Sequence, residues 1–160
     1  MQLSQHDDPV LAEMEEVARH TRFPIIDRAA SKCCYLLCRL AKVRTVFEMG
    51  SGYGYSTAWF AMAVRDNGGG VVHHVVWDEE LSRKAQDYLQ RMNLSEFVRF
   101  TVGEAVETLR NTTGHFGCIF VDIEKAGLSA FAHRCRFGRS PVRGDPFSRL
   151  TPLLRISLSP

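Results

Sequence analysis

A glycine-rich turn at residues 50–54 constrains the fold of this chain more than any other feature. The segment around it reads Val46-Phe47-Glu48-Met49-Gly50-Ser51-Gly52-Tyr53-Gly54-Tyr55-Ser56. An apolar run ends in an acid, three glycines alternate with other residues, and a stretch typical of a helix follows. Such a junction of strand, turn and helix is where an α/β sheet binds a nucleotide-like cofactor.

The spacing of the glycines separates the cofactor classes. A dinucleotide fold uses G-x-G-x-x-G, whose third glycine lets the helix pack close to the strand. Tyr55 occupies that third position, and Gly54 falls one residue early. A phosphate loop needs a Lys after its glycines, and none is present. A nicotinamide oxidoreductase is therefore disfavoured.

Helix and strand patterns alternate along the chain as far as residue 122. Helices are predicted over about 8–20, 29–40, 55–64, 78–92 and 104–110, and strands over 43–49, 71–77, 97–102 and 116–121. Alternation with short turns predicts an α/β fold with a parallel sheet and helices on its faces.

The string from Glu48 to Ser56 resembles motif I of the class I S-adenosylmethionine-dependent methyltransferases. Its Gly-Tyr-Ser ending is similar to that of the O-methyltransferases of the catechol and caffeoyl-CoA type. The resemblance covers about residues 9–127. It implies a Rossmann-like fold, S-adenosylmethionine as cofactor, and cation-assisted methyl transfer to a hydroxyl of a small-molecule acceptor.

The resemblance assigns roles to the loop. Glu48 would order the glycine turn and face the cofactor's ammonium group, while Gly50 and Gly52 permit close approach of the backbone. Ser56 lies at a helix N-terminus, where its hydroxyl and the free N–H groups would hold the cofactor's carboxylate. The predicted cofactor-binding residues of the loop are Glu48, Gly50, Ser51, Gly52, Tyr55 and Ser56.

Two further positions are predicted to contact the cofactor. Nucleotide-like cofactors usually need an acid at the end of the second strand for the ribose hydroxyls. The family's acid position is occupied by Val76, so Asp78 is the substitute candidate, although it also fits the N-cap of the following helix. After the third strand, Glu104 and Ala105 match a Gly-acid-Ala segment that lies along the adenine in the family.

Asp122 and Lys125 close the fourth strand as Asp-x-x-Lys. In the family this pattern is a metal-ligand aspartate followed by the catalytic lysine. A divalent cation, Mg²⁺ by preference, would hold the acceptor's hydroxyls and lower their pKa. The lysine would take up the remaining proton or hold the oxyanion. The family completes the metal site with an Asp-Asn pair, which does not occur after Asp122.

The character of the chain changes near residue 127. Residues 1–127 hold 14 basic and 17 acidic residues, whereas residues 128–160 hold six Arg, one acid, five Ser and four Pro. We interpret 1–127 as the N-terminal part of a methyltransferase domain and 128–160 as an atypical tail that follows a truncation or frameshift. The C-terminal strands of the fold are then missing, and the edge of the fourth strand is exposed unless the tail or a second chain shields it.

Composition bounds the remaining partners. No apolar run approaches the roughly 20 residues of a membrane helix, and the polar, acidic start is wrong for a signal peptide. Five cysteines without a C-x-x-C pair are typical of reduced thiols in a cytoplasmic protein. The resemblance also implies a possible homodimer.

Two alternative functions remain open from the sequence. In the first, the chain is a remnant without catalytic activity that still binds the cofactor. In the second, its Arg-rich tail binds nucleic acid. The second is disfavoured, because neither interleaved aromatic residues nor a recognised nucleic-acid module accompanies the arginines.

Overall fold

The computed structural model describes residues 8–123 and 155–157 of the 160-residue chain. Five helices and five strands are present there, with a short 3-10 turn at Ser95–Phe97 before the third strand. The helices are α1 (Pro9–Thr21), α2 (Arg28–Leu40), α3 (Tyr55–Asp66), α4 (Glu79–Arg91) and α5 (Ala105–Asn111). The strands are β1 (Thr45–Met49), β2 (Val71–Val76), β3 (Val98–Val102), β4 (Cys118–Val121) and β5 (Arg155–Ser157).

Carboxylates fix the beginnings of four helices. Asp8 accepts a hydrogen bond from the Val10 backbone N–H at 2.8 Å, and Pro9 follows it at the first helical position. The side chains of Asp27, Asp78 and Glu104 cap α2, α4 and α5 in the same way. Each cap satisfies a backbone N–H that the helix itself cannot bond, which is why these boundaries fall where the sequence predicts them.

The five strands form one parallel sheet in the order β3-β2-β1-β4-β5. The chain builds outward from β1 through β2 to β3 and then crosses back to β4 on the other side of β1. The strand order therefore reverses between β1 and β4. In open α/β sheets, the crevice at the carboxyl ends of the strands at such a point is the usual ligand site.

β5 comes from the Arg-rich tail, where no strand was predicted. Its backbone runs parallel to β4, with Phe120 opposite Ile156. The sequence analysis expected this edge to be shielded by the tail or by a second chain. In the structure the tail shields it. Three residues in an Arg/Ser/Pro-rich segment are too few for a periodicity signal, so the strand follows from available pairing groups on β4 rather than from a local pattern.

Alternate residues of β1 point into two separate parts of the core. Val46 packs in the larger cluster, together with buried residues of α1 to α4. Phe47 packs in the smaller cluster on the opposite face, where Leu109 of α5 joins it. The sheet is thus covered on both faces, which confirms the predicted Rossmann-like α/β arrangement. In the part of the chain described here, no helix has the length and apolarity to cross a membrane.

Candidate cofactor site

The glycine turn lies at the point where the strand order reverses. Gly50 has a positive φ of 84°, and a β-carbon there would lie 2.1 Å from the carbonyl oxygen of Asp122. Only glycine allows the backbone after β1 to approach the backbone after β4 so closely. Gly50 is therefore required by the fold itself, in addition to its predicted place in the cofactor site.

Ser51 ties the turn to β2. Its hydroxyl accepts a hydrogen bond from the Val75 N–H at 3.0 Å and lies 3.3 Å from the Glu48 carbonyl oxygen, to which it donates. The N–H groups of Gly50 and Ser51 both lie 3.2 Å from the Val75 carbonyl oxygen. The loop is thereby fixed by backbone bonds on both sides before any ligand arrives.

The other two glycines of the turn make room for protein groups. A β-carbon on Gly52 would lie 3.1 Å from the Phe23 ring, and one on Gly54 would lie 2.9 Å from the Ala85 β-carbon. Gly54 therefore allows α4 to pack close to the turn. Phe23, in the connector between α1 and α2, was not predicted at this site, because the distant contact leaves no local signal.

Glu48 lies beneath the loop, with no exposed surface. Ser56 donates a short hydrogen bond to Oε1, and Thr57 donates one of 2.5 Å to Oε2. Burial raises the pKa of the Glu48 carboxyl to about 7, although the hydroxyl donors oppose this shift. Glu48 thus links β1 to the start of α3, as an acid that orders the loop should. Its contact with a ligand ammonium group stays a prediction.

Helix α3 begins at the glycine turn without a side-chain cap. Gly54 is its N-cap, in the left-handed region at φ 93°. Ser56 is the second residue of the helix and is 8% exposed, so its hydroxyl binds Glu48 rather than capping the helix. Tyr55 is buried, and its hydroxyl donates to Glu15 on α1. Any ligand contact of Tyr55 would therefore involve its backbone.

Asp78 is exposed and serves as the N-cap of α4, accepting from the Leu81 N–H at 3.0 Å through Oδ1. Its contact with the ribose stays a prediction. Because Oδ1 already accepts from Leu81, Oδ2 is the oxygen that would make this contact. Val76, at the family's acid position, is 6% exposed, and Trp77 beside it is 78% exposed. The carboxyl end of β2 therefore presents an indole ring and a capping carboxylate.

Glu104 caps α5 through both of its carboxylate oxygens. Oε1 accepts from the Val106 N–H at 3.0 Å and Oε2 from the Glu107 N–H at 2.6 Å. Ala105 is the first residue of α5. Because Gly103 bonds the Val76 carbonyl at 3.0 Å, this segment lies next to the end of β2, where the resemblance places the adenine. The contact of Glu104 and Ala105 with adenine stays a prediction.

Asp122 follows β4 at the same edge of the sheet. Its N–H bonds the Met49 carbonyl at 3.0 Å, and partial burial raises the pKa of its carboxyl. Lys125 lies outside the described residues. Within the described ranges, no group of three or more His, Cys, Asp or Glu side chains is placed to hold a metal ion.

Two buried residues that the sequence analysis did not assign complete the arrangement under the loop. Thr57 contacts both Glu48 and His74, the latter at 3.0 Å between Oγ1 and Nδ1. His74 is fully buried on β2, and burial lowers its pKa to about 3. The only sequence signal for this pairing was a His within the predicted second strand.

The donor set of the loop fits S-adenosylmethionine. An uncapped helix N-terminus offers N–H groups and a positive dipole end to a carboxylate. The exposed Trp77 and the capping acids Asp78 and Glu104 stand at the ends of the neighbouring strands, where a nucleoside would lie. No Lys stands in the turn to take a phosphate chain.

The chain is similar to known methyltransferases. A family model described as a methyltransferase domain matches residues 47–135. Catechol O-methyltransferases of Niastella koreensis and Mycobacterium tuberculosis are each 30% identical over 129 residues, covering 77% and 78% of this chain. The chain spans 57% of the length of both relatives.

Solved structures show the same fold. The O-methyltransferase of Bacillus cereus in complex with SAH superposes with a TM-score of 0.71 at 26% identity, over 82% of this chain and 61% of that one. The O-methyltransferase TomG of Streptomyces achromogenes, in complex with SAM, gives 0.70 at 26% identity, over 82% and 60%.

Proposed function

Because this chain belongs to the methyltransferase domain family, we propose that it binds S-adenosylmethionine at the glycine loop and forms part of an O-methyltransferase for a small hydroxylated acceptor. The observation that carries the proposal is the position of the loop. Gly50 packs against the backbone of Asp122 where the strand order reverses, directly before a helix with an uncapped N-terminus. That is the place where this class of sheet binds its ligands.

The cofactor supplies a methyl group on a positively charged sulfur, which a hydroxyl oxygen of the acceptor can attack. The chain contributes positioning. The loop is fixed by Ser51 and Val75 before binding, and α3 presents its free N–H groups to the cofactor's carboxylate. Asp78, Glu104 and Ala105 would hold the nucleoside. Lys125 is proposed as the group that takes the acceptor's proton.

Divalent-cation assistance rests on Asp122. Mg²⁺ requires near-octahedral coordination by oxygen atoms, and a single carboxylate does not provide it. The described residues do not fit a metal centre, and no step of the proposed reaction depends on one. The test is whether methyl transfer changes when Mg²⁺ is replaced by EDTA. A cytoplasmic location and a homodimer are further proposals, to be tested by cell fractionation and by light scattering.

Calorimetric titration of the folded full chain with S-adenosylhomocysteine tests the cofactor site. We expect micromolar binding, unchanged by Mg²⁺ if no metal joins the site, and no binding of NADH as the control ligand. Absence of binding to a chain that circular dichroism shows to be folded would refute the cofactor assignment. Tight binding of NADH instead would favour the oxidoreductase.

Methyl transfer is a separate test. Catechol is the first acceptor to assay, because two relatives are named for it. Transfer from labelled S-adenosylmethionine to catechol would support the enzyme. Cofactor binding without transfer to a panel of hydroxylated acceptors would support the alternative, a binding remnant without catalysis. Salt-sensitive binding to RNA that deletion of residues 128–160 abolishes would instead support the nucleic-acid alternative.

A further inference from the structure

The hydrogen bonds of Glu48 restrict what Ser56 can do. A serine hydroxyl has one proton to donate. In the structure Ser56 donates it to Oε1 of Glu48, so while Glu48 is ionised the hydroxyl offers an incoming ligand only lone pairs. A carboxylate also offers only lone pairs. The predicted bond from Ser56 to the cofactor's carboxylate therefore requires Glu48 to release that proton.

Thr57 and His74 hold the other oxygen of Glu48. Thr57 also has one proton, which it donates to Oε2 at 2.5 Å. Because Thr57 Oγ1 lies 3.0 Å from His74 Nδ1, the imidazole must then donate to it, which makes His74 the Nδ1–H tautomer. His74 Nε2 is buried without a hydrogen-bond partner among the described residues, as suits a nitrogen that carries no hydrogen.

We infer that His74 is a positioning residue that keeps the Thr57 proton on Oε2, so that Glu48 takes up one proton on Oε1 and frees the Ser56 hydroxyl to donate when the cofactor's carboxylate binds. The inference rests on the proposed function. Ser56 lies in the first turn of α3, beside the free N–H groups, so its freed hydroxyl and those groups serve the same carboxylate.

The surroundings of Glu48 favour such a proton. Among the described residues, four ionisable groups act on Glu48 from the elements packed around it: the thiols of Cys34 on α2 and Cys118 on β4, His74 on β2, and Asp122 after β4. Burial raises the pKa of the Cys34 thiol, whereas the hydrogen bond with Cys38 and then burial raise that of Cys118. Burial lowers the pKa of His74, so all three groups are neutral near pH 7. Asp122 disfavours a second negative charge. None of the four is a cation that would hold Glu48 ionised, and the carboxyl is poised to gain a proton near neutral pH.

This inference replaces the predicted contact between Glu48 and the cofactor's ammonium group, because that cation would favour the ionised carboxylate. Ser56 and Thr57 already bond the two oxygens of Glu48, and the side chain has no exposed surface.

Proton uptake can be measured separately from binding. The full chain is titrated calorimetrically with S-adenosylhomocysteine at pH 8 in phosphate, HEPES and Tris, whose ionisation enthalpies differ. We expect close to one proton taken up per ligand bound, and a Kd that rises about tenfold per pH unit above pH 7. Glu48→Gln should take up no proton and should bind with a Kd independent of pH over this range, because its amide can donate to Ser56 permanently.

His74 is tested by a matched pair of variants. Asn can place an amide N–H near the position of Nδ1, so His74→Asn should retain the proton uptake, whereas His74→Leu should lose most of it. Independently of any variant, the nitrogen-15 spectrum of the wild-type chain should show His74 protonated at Nδ1 and bare at Nε2.

The results of these experiments test the inference separately from the proposed function. Binding without proton uptake, or equal uptake by wild type and Glu48→Gln, overturns the inference and leaves the cofactor site standing. Full uptake by His74→Leu, or an Nε2–H tautomer in the wild type, overturns the role of His74. No binding to the folded wild-type chain overturns the proposed function and this inference together.

Discussion

Glu48 and His74 share Thr57 as a partner but respond to pH in opposite directions. Burial raises the pKa of Glu48 from 4.5 to about 7, so the folded chain binds this proton more tightly than the unfolded chain. The stability it contributes is present below pH 4.5 and is lost as the pH rises through 7. Burial lowers the pKa of His74 from 6.5 to about 3, so its contribution is present above pH 6.5 and is lost as the pH falls through 3.

Between pH 4.5 and 6.5 the contribution of Glu48 to the free energy of unfolding falls with pH and that of His74 rises by the same amount, so the two cancel. This cancellation leads to a prediction for Glu48→Gln. Removing the titrating carboxyl leaves the His74 slope uncompensated. Relative to wild type, the free energy of unfolding should then increase with pH by about 1.4 kcal/mol per unit in this window. Urea denaturation at pH 4.5, 5.5 and 6.5 measures it.

His74→Asn is the matched control, because it removes the contribution of His74, which rises with pH. The free energy of unfolding of this variant should therefore decrease with pH relative to wild type. All other titrating groups are common to the three proteins and drop out of the differences. Parallel pH profiles for wild type and Glu48→Gln would show that Glu48 does not titrate in this window.

Substitutions at Gly50 and Gly68 distinguish two costs of adding a β-carbon: the strain of a positive φ and a clash with neighbouring atoms. Both have a strongly positive φ, 84° and 91°. A β-carbon on Gly50 would meet the Asp122 carbonyl, whereas one on Gly68 would have no atom within 4 Å. Gly68→Ala should therefore cost about 1 kcal/mol of stability. Gly50→Ala should cost at least about 2 kcal/mol more, because the loop and β4 must move apart.

Urea denaturation of the two variants measures this difference, and S-adenosylhomocysteine binding to Gly50→Ala should be lost with the loop geometry. Equal destabilisation by the two substitutions would mean that the approach of the loop to β4 is not as tight as the structure has it.

At the level of the elements, α4 combines a structural cap with a predicted ligand contact. Asp78 uses Oδ1 for the Leu81 N–H, which leaves Oδ2 for a ribose hydroxyl. Ser is as good an N-cap as Asp, whereas Ala is not. Asp78→Ser should keep the stability within about 0.5 kcal/mol of wild type, whereas Asp78→Ala should lose about 1 kcal/mol.

Both Asp78 variants should bind S-adenosylhomocysteine about tenfold more weakly, since each lacks the second carboxylate oxygen. Thermal unfolding and calorimetry read the two effects separately. If Asp78→Ser bound as tightly as wild type, Asp78 would be a helix cap alone, and the ribose would have to be held by another group.

For the whole molecule, the sheet depends on the tail for its last strand. β5 covers the backbone groups of β4 from Ile119 to Val121. A fragment of residues 1–127 would expose that edge, and exposed edges pair with other chains. The fragment should melt at a lower temperature than the full chain and should self-associate.

Light scattering and thermal unfolding at several concentrations test this, with the full chain as the control. A high melting temperature that does not change with the concentration of the fragment would show that β5 contributes little.

The elements that carry local signals could be predicted from the sequence. Asp8 with Pro9, the turn at 66–70 and the acids before α4 and α5 are contained within a few residues, and each predicted its boundary to within two residues. The glycine turn predicted the junction between β1 and α3, where the proposed cofactor site lies, for the same reason. The seven residues of α5 and the edge strand β3 also followed from the alternation of the patterns.

Contacts between distant segments could not be predicted in this way. The pairing of β5 with β4, the Phe23 ring over Gly52 and the hydrogen bond between Thr57 and His74 join residues that are 17 to 36 positions apart. α3 carried little amphipathic signal, because ten of its twelve residues are buried on all sides. The role of such a residue depends on the distant residue that it contacts, and its own side-chain type does not reveal it.

The sequence by itself determined the α/β class, the order of the helices and strands and the glycine turn, because hydrophobic periodicity, helix caps and glycine spacing act over one or two turns of chain. Only the tertiary structure decided that Glu48 is buried, that Ser56 and Thr57 bind its two oxygens and that a neutral His74 completes the set. Desolvation and proton sharing depend on groups that folding brings together from β1, α3 and β2, and no local stretch of sequence contains them.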